Sequence, residues 1–299
     1  MTRPPRILLF DSGLGGLTVA RAVRALLPDA HYLYGADVAA FPAGAWDEPL
    51  LIERIVAVMA RLIAEARPDV VVVACNTAST LALARLREAF TVPFVGTVPA
   101  IKPAAQQTAS RIIGVLATPG TVNREYTRAL IDTYAFHCTV VLHGAPHLAA
   151  LAEAKLMGAA PDPAAVRREI APVFRRRNGR RTDTIVLGCT HYPLLLPELD
   201  AASPWPVRFI DPAPAIARRV ASIVETLPAR PLEAADRASP DGTVFLTAPG
   251  ASSSLAVYAG QKFAFPVLVD VPGAAQSPLP PSPSLASSLT STSNMRSPC

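Results

Sequence analysis

Two cysteines occupy matching places in this 299-residue chain, and both follow short apolar runs that are typical of strands. Cys75 follows the run 70–74, and Cys189 follows the run 184–188. Polar residues able to begin a helix come directly after each cysteine. Each thiol is therefore predicted at the carboxyl end of a parallel strand, where ligands bind and where a helix N-terminus favours anions and lowers a thiol pKa. Both thiols are predicted to be reactive.

Two thiols that face each other across a cleft suit one class of reaction. One group removes a proton from a tetrahedral carbon, and the other delivers a proton to the opposite face. The enantiomers of an α-amino acid are near mirror images at that carbon, so racemisation benefits from near-symmetric bases. The loops 12–16 and 118–121, with Asn76, Thr77 and Thr190, could bind the substrate carboxylates and the developing charge.

An internal repeat predicts how the chain positions these thiols. Residues 6–10 match 111–116, residues 69–75 match 183–189, and residues 92–95 match 207–210, at displacements of about 105 to 115 residues. The three matches come in the same order in both halves. The chain is therefore predicted to hold two pseudo-twofold-related α/β domains, joined near residue 99, with the active site in the cleft between them.

The secondary-structure pattern agrees with this α/β fold class. Short β-branched runs alternate with longer Ala-, Leu- and Arg-rich segments, as in βα units around mostly parallel sheets. Helices are predicted over 17–27 and 46–66. The predicted strands are 6–10, 31–34, 70–74, 92–96, 112–116, 139–142, 184–187 and 207–210.

Composition excludes several classes of protein. The net charge is +5, only 17% of residues are charged, and no apolar run approaches the roughly 20 residues of a membrane-spanning helix. The N-terminus lacks the apolar stretch of a signal peptide, so we expect a cytoplasmic protein without membrane contact. The four cysteines show no CxxC spacing, which indicates free thiols. Of these, Cys138 is expected to be a core residue and Cys299 to be incidental.

An arginine-rich run, 167–181, is the strongest pointer to nucleic acid. It follows a plausible helix start at 161–163 and lacks the interleaved aromatic residues that base stacking would need. We interpret it as a solvated helix face followed by a turn at Asn178 and Gly179, and we expect no nucleic-acid partner.

Metal and cofactor chemistry were also considered. Cys75, Cys189 and His191 could form a zinc site, but structural zinc sites usually have paired close ligands. The glycine motif 13–16 matches neither a phosphate-binding P-loop nor a dinucleotide fingerprint. None of the three lysines follows a strand as pyridoxal chemistry would require. We therefore expect neither a metal nor an organic cofactor.

Three motifs resemble the signature blocks of the glutamate racemase family, within the aspartate/glutamate racemase superfamily. They are DSGLGGLT at 11–18, ACNTAS at 74–79 and LGCTHYPLL at 187–195, and the similarity runs from about residue 6 to 272. The resemblance implies a cofactor-independent two-base racemase that interconverts L- and D-glutamate and supplies D-glutamate for peptidoglycan. It leaves a homodimer open.

The resemblance also implies domain limits. Residues 1–98 would form the first α/β domain and 99–212 the second. Residues 213–272 would return to the first domain, and the Ser- and Pro-rich segment 273–299 would be a disordered tail.

Site roles follow from the same resemblance. Cys75 would act on D-glutamate with Asp11 nearby, and Cys189 would act on L-glutamate with Glu153 and His191 nearby. The substrate-binding residues would be Asp11, Ser12, Pro42, Ala43, Gly44, Asn76, Thr77, Thr118, Thr121, Thr190 and His191.

The sequence departs from the family pattern at two places, and rival functions remain open. Ala43 stands where the family usually has tyrosine, and Ala145 stands where it tends to have cysteine. One alternative is a related aspartate or hydantoin racemase. Another is a weakly active family member that regulates a protein partner.

Overall fold

A computed structural model describes residues 2–233, 241–247 and, for its backbone, the strand Val267–Asp270. The described strands form a six-stranded sheet, a four-stranded sheet and a short two-stranded hairpin. The strands are β1 (Arg6–Asp11), β2 (His31–Ala36), β3 (Val70–Val73), β4 (Phe94–Gly96), β5 (Ile112–Ala117), β6 (Thr139–Gly144), β7 (Arg176–Arg177), β8 (Arg180–Arg181), β9 (Thr184–Gly188), β10 (Arg208–Ile210), β11 (Thr243–Leu246) and β12 (Val267–Asp270).

Helices connect most of these strands. They are α1 (Leu17–Leu26), α2 (Glu48–Ala66), α3 (Asn76–Ala89), α4 (Ile101–Gln107), α5 (Pro119–Val122), α6 (Glu125–Tyr134), α7 (Leu148–Leu156), α8 (Pro163–Ile170), α9 (Leu196–Ala202) and α10 (Ala213–Val224). Among the described residues, no helix combines the length and the apolar character that crossing a membrane requires.

The two large sheets repeat one strand order. The six-stranded sheet runs β12-β11-β2-β1-β3-β4 and the four-stranded sheet runs β10-β9-β5-β6, and every pairing within them is parallel. Reading β2-β1-β3-β4 against β6-β5-β9-β10 reproduces the order of the sequence repeat. The predicted α/β class with mostly parallel sheets is confirmed.

Sheet membership divides the described chain into two lobes. We call the six-stranded sheet with α1–α3 and α10 the first lobe, and the four-stranded sheet with α4–α9 the second lobe. The chain enters the second sheet after β4 and returns to the first sheet at β11. The domain limits 1–98, 99–212 and 213–272 stay predictions, and the predicted tail 273–299 lies outside the described residues.

The central strands explain why apolar runs appear so plainly in the sequence. All four valines of β3 are buried: Val71 and Val73 pack in one core cluster, and Val70 and Val72 pack in the cluster on the opposite face. Helices cover both faces of such a parallel sheet, so its strands are apolar at every position. The same reasoning applies to β5 and β9, whose residues are all buried.

Two features differ from or refine the sequence-based expectation. The strands β11 and β12 were not predicted. The expected turn at Asn178 and Gly179 joins β7 to β8 in an antiparallel hairpin. Both residues have positive φ, 50° and 74°, as a two-residue hairpin turn requires.

Candidate active site

Both predicted thiols lie where a central strand of each sheet ends. Cys75 is two residues beyond β3 and forms the N-cap of α3, and Cys189 directly follows β9. β3 and β9 hold equivalent places in the two sheets, and the two thiols that follow them line one cavity between the lobes. The predicted geometry, in which the two thiols share a cleft, is present.

The cleft contains a small cavity of about 20 Å³. The lining residues come from both lobes and include both thiols. They are Ser12, Phe41, Pro42, Ala43, Gly44, Cys75, Asn76, Thr77, Thr118, Ala149, Cys189, Thr190 and His191.

Three predicted site residues do not line the cavity but lie close to residues that do. Asp11 and Thr121 are fully buried, and Glu153 lies behind His191. The Thr121 hydroxyl is 3.0 Å from the Thr118 hydroxyl, which does line the cavity. Direct substrate contact by Asp11 and Thr121 stays a prediction, and their positions favour a role in holding other residues.

Cys189 belongs to a chain of three side chains. Its Sγ lies 3.7 Å from Nδ1 of His191, and Nε2 of that ring lies 2.7 Å from Oε1 of Glu153. The carboxylate can only accept, so Nε2 carries a proton and Nδ1 of the neutral ring is free to accept the Cys189 proton. The Gly15 N–H also points at Nε2, at 3.2 Å, but cannot donate to a nitrogen that is itself a donor. This arrangement supports a thiolate–imidazolium pair.

The pKa values of the His191 and Glu153 pair shift in the directions that this arrangement needs. Burial by itself lowers the pKa of His191, but the hydrogen bonds and charges of Cys189 and Glu153 outweigh it and raise the pKa well above 6.5. Burial by itself raises the pKa of Glu153, but the hydrogen bond and charge of His191 and the Leu14 N–H lower it overall. At neutral pH the ring is cationic and the carboxylate is ionised.

Cys75 has different surroundings. Its Sγ accepts the Ala78 N–H at 3.5 Å and lies 3.6 Å from the Ser12 hydroxyl. Burial, followed by the negative charge of Asp11, raises the pKa of Cys75 to about 12. The prediction that the start of α3 lowers the pKa of this thiol is wrong, because burial and the nearby carboxylate outweigh the helix N-terminus. Cys75 is a neutral thiol at neutral pH.

Asp11 connects the two lobes at the end of β1. One carboxylate oxygen accepts the Gly13 N–H at 2.9 Å, and the other accepts the Thr190 hydroxyl of the second lobe at 2.9 Å. Burial raises its pKa, against the lowering effect of the His191 charge and of these hydrogen bonds. Asp11 therefore acts on Cys75 through its charge and on the second lobe through Thr190.

Asn76 carries an unmet hydrogen-bonding capacity. Its side chain is buried and lines the cavity, yet neither its amide nitrogen nor its amide oxygen has a hydrogen-bond partner among the described residues. A buried amide without partners is costly, so a polar ligand in the cavity is the natural explanation.

The glycine motif at residues 13–16 of the first lobe lets the two lobes approach each other closely. A Cβ on Gly15 would lie 2.5 Å from Nδ1 of His191, and a Cβ on Gly13 would lie 2.5 Å from Oε1 of Glu153. A side chain at either position would displace Glu153 or His191 from its present place. This explains a glycine-rich loop without a phosphate-binding sequence.

Three residues at or near the cavity were missed by sequence reasoning: Phe41 and Ala149 of the lining, and Arg124. The Phe41 ring lies 5.3 Å from the His191 ring, and Arg124 of the second lobe donates to the Thr77 carbonyl at 3.1 Å and to the Thr80 hydroxyl at 2.9 Å in α3. Phe41 directly precedes the predicted loop residue Pro42, which was a usable signal. Arg124 had no such signal.

Within the part of the chain that the structure describes, no group of three or more His, Cys, Asp or Glu side chains could hold a metal ion.

The fold and the site together define a two-lobed α/β protein with paired thiols on opposite sides of a buried, polar cleft. The family model for Asp/Glu/hydantoin racemases matches residues 18–220, and the chain belongs to this family.

Several relatives that share about 55% of their residues with this chain are glutamate racemases. The chain is 55% identical over 220 residues to the glutamate racemase of Brucella anthropi, covering 73% of this chain and 79% of the relative. Its structure is similar to that of Escherichia coli glutamate racemase in complex with L-glutamate and the activator UDP-MurNAc-Ala, with a TM-score of 0.81 and 41% identity over 90% of this chain and 98% of that one. A glutamate racemase isoform from Bacillus anthracis matches with a TM-score of 0.72 and 28% identity, over 91% and 98% of the chains.

Proposed function

We propose that this protein is a cofactor-independent glutamate racemase that interconverts L- and D-glutamate by a two-base mechanism, with Cys75 and Cys189 as the bases. The observation that carries the proposal is the pair of thiols lining one cavity from opposite lobes, in unlike electrostatic settings. The glutamate racemase relatives support glutamate as the substrate.

The reaction from L-glutamate begins at Cys189. Its thiol proton already lies on His191 as the reaction starts, and Glu153 stabilises that imidazolium. The Cys189 thiolate then removes the α-proton, and the electron pair of the broken C–H bond remains on the substrate, delocalised toward its carboxylate. Exclusion of water from the buried cleft strengthens every charge interaction in this step.

The second proton transfer comes from Cys75. This thiol is neutral at neutral pH because burial and Asp11 raise its pKa, so it holds a proton to deliver. Delivery to the face opposite Cys189 forms D-glutamate and leaves Cys75 as a thiolate. The reverse reaction starts from this protonation state, in which Ser12 and the Ala78 N–H stabilise the anionic sulfur.

Polar groups of the lining account for substrate binding. The unpartnered amide of Asn76 and the hydroxyls of Thr77, Thr118 and Thr190 can bond the two substrate carboxylates and the ammonium group. The first turn of α3 adds the positive end of a helix dipole beside Cys75. These groups are fixed before the charge develops, which favours the anionic intermediate.

The biological setting follows from this activity. D-glutamate is a component of peptidoglycan, so we propose that the protein supplies it for cell-wall synthesis in the cytoplasm. A homodimer, and the absence of a nucleic-acid partner, stay predictions.

The direct test is incubation with L-glutamate in heavy water. We expect deuterium at the α-carbon and formation of D-glutamate, measured by proton NMR and chiral chromatography, and little turnover of aspartate or hydantoins in a parallel panel. The variants Cys75→Ser and Cys189→Ser should each abolish racemisation, whereas Cys138→Ser, outside the cleft, should not. Full turnover by either cleft variant would refute the two-base assignment.

A further inference from the structure

A second pocket lies at the opposite end of the second sheet from the cleft. It surrounds the first residues of two strands, Ile112 of β5 and Thr139 of β6, whereas the cleft lies where β5 and β9 end. A six-residue strand separates its ends by about 17 Å. The pocket is therefore distinct from the candidate active site. It is lined by Ser110, Arg111, Ile112, Phe136, His137, Cys138, Thr139, Arg177, Asn178 and Arg180.

The hairpin β7–β8 presents like charges to this pocket. Arg177 and Arg180 are direct cross-strand partners, a placement that is unfavourable for two cations. The other arginine pair, Arg176 and Arg181, lies over the Trp205 ring at 5.0 and 5.6 Å. The pair that lines the pocket has no aromatic ring beneath it within the described structure. The Arg177 side chain donates to the Thr139 hydroxyl at 3.3 Å, and the Arg180 side chain makes no hydrogen bond or ion pair with the described residues.

Arg111 adds a third guanidinium to the lining of this pocket, and its own backbone conformation is unusual. Its φ of 59° is in the left-handed region, which residues with a side chain rarely adopt. Hydrogen bonds hold it there: its N–H donates to the Thr108 hydroxyl at 3.0 Å, and its carbonyl accepts the Thr139 N–H at 2.7 Å. Such backbone strain is often found at functional positions.

Carboxylates do little to compensate the positive charge of the three arginines in this pocket. None of the described lining residues is Asp or Glu. Asp183 is an acid near the pocket, and its charge acts on the pKa of Cys138, as does the charge of Arg111. Its oxygens accept from the Thr108 hydroxyl at 2.6 Å and from the N–H groups of Ala109 and Ser110 at 2.8 and 2.7 Å, so they are already engaged.

We propose that this pocket binds the phosphate group of a small anion, with Arg111, Arg177 and Arg180 as the hydrogen-bond donors. The planar guanidinium matches phosphate oxygens in pairs, and a phosphate would relieve the repulsion between the two hairpin arginines. Phe136 is 79% exposed at the rim, with its ring 5.1 Å from the His137 ring. It offers a surface for an apolar or aromatic group that carries the phosphate.

The test is calorimetric titration of the full chain with inorganic phosphate and with phenyl phosphate. We expect one bound ligand per chain, and tighter binding of phenyl phosphate if the aromatic group contacts Phe136. Equal affinities would assign the site to free phosphate. The variants Arg180→Gln and Arg177→Gln/Arg180→Gln should weaken binding by about 10-fold or more, because each removes charge-assisted hydrogen bonds.

The matched control is Arg167→Gln/Arg168→Gln, which removes two exposed charges of α8 from the same arginine run outside the pocket. Its affinity for both probes should equal that of the parent chain, and racemisation should be unchanged in all variants. Equal weakening by the control and pocket variants, or no binding of either probe at millimolar concentration, would overturn the proposal. Capture of a DNA duplex without binding of either phosphate probe would overturn it in favour of a nucleic-acid surface.

Discussion

Oε1 of Glu153 lies 2.7 Å from Nε2 of His191 and also accepts the Leu14 N–H at 2.8 Å. One carboxylate oxygen therefore joins the histidine of the second lobe to the glycine-rich loop of the first lobe. Cys189, His191 and Glu153 all belong to the second lobe, and the Leu14 N–H adds a hydrogen bond from the first lobe to the carboxylate. Contact between the lobes is thereby coupled to the carboxylate that stabilises the His191 ring.

Glu153→Gln tests this coupling through kinetics. The amide keeps the size of the side chain but loses the charge that stabilises the imidazolium, so kcat/KM should fall by roughly 10-fold or more. The fall should be equal in both directions, because the enantiomers have equal free energy. Polarimetry from L- and D-glutamate measures it.

The control for that variant is Glu169→Gln. Glu169 also accepts a backbone N–H, that of His147 at 3.0 Å, but lies outside the cavity. It should retain parental kcat/KM. Comparable losses in both variants would show that Glu153 has no special role in proton transfer.

The same pair should make stability depend on pH. The pKa of His191 is raised in the folded protein. The charged ring therefore stabilises the fold fully below pH 6.5, its ordinary pKa, and this contribution is lost as pH rises through the pKa of the folded protein. The pKa of Glu153 is lowered in the folded protein. The ionised carboxylate therefore stabilises the fold above pH 4.5, its ordinary pKa, and this contribution is lost as pH falls through the pKa of the folded protein. The free energy of unfolding of the parent chain should therefore exceed that of Glu153→Gln most between these two values, by about 1–3 kcal/mol.

Urea unfolding of both proteins across a pH series measures this difference. It should shrink toward alkaline pH, as the ring loses its proton, and again toward strongly acidic pH, as the carboxylate gains one. A difference that grows steadily with pH would contradict the assigned protonation of the pair.

The two thiols should differ in reactivity toward an alkylating agent. Cys75, with a pKa raised to about 12, is protonated at neutral pH, whereas Cys189 can pass its proton to His191. Only the thiolate is nucleophilic, so iodoacetamide should modify Cys189 first. Peptide mass mapping against time identifies the order. Saturating glutamate should protect both cleft thiols but not Cys138, and earlier modification of Cys75 would reverse the proposed resting state.

Arg124 should govern how firmly the cleft closes. Besides its bonds to α3, its guanidinium donates to the Gly120 carbonyl at 2.9 Å and pairs with Glu48 at 3.3 Å, so it ties α5 to both α3 and the start of α2. Arg124→Gln removes these charge-assisted bonds beside Thr77, and KM for glutamate should rise about 10-fold. Arg124→Lys, which keeps the charge without the planar fork, should be intermediate.

The control for this position is Arg128→Gln, an exposed arginine one turn further along α6. Its KM should equal that of the parent chain. An unchanged KM in Arg124→Gln would show that the cleft is held closed by other contacts.

Much of the fold could be read from local patterns, and the exceptions have a common reason. β3 and β9 are buried on both faces, so their runs of apolar and β-branched residues stand out. β11 is a four-residue strand that pairs with β2, far earlier in the chain, and with β12. This pairing joins segments about 210 residues apart, such as Thr243 and Leu33, and no pattern within either segment indicates it.

The candidate site divides in the same way. The thiols, the polar helix starts and the glycine loop each carry a local motif, so their place at the strand ends could be predicted. Arg124 contacts Thr77 and Thr80 from a distant segment, and nothing in its neighbouring residues indicates that contact. The position of Asp11 and Thr121 behind the lining also depends on packing between loops.

The sequence by itself determined the chemistry available to this protein: two equivalent thiols, polar groups beside each, and a repeated α/β framework to hold them apart. Only the tertiary structure decided how the two thiols differ. Burial and the charge of Asp11 raise the pKa of Cys75, whereas Cys189 faces the His191 ring, which Glu153 contacts at Nε2. Electrostatic interactions depend on distance through space and on exclusion of water, and the packing of the two lobes sets both.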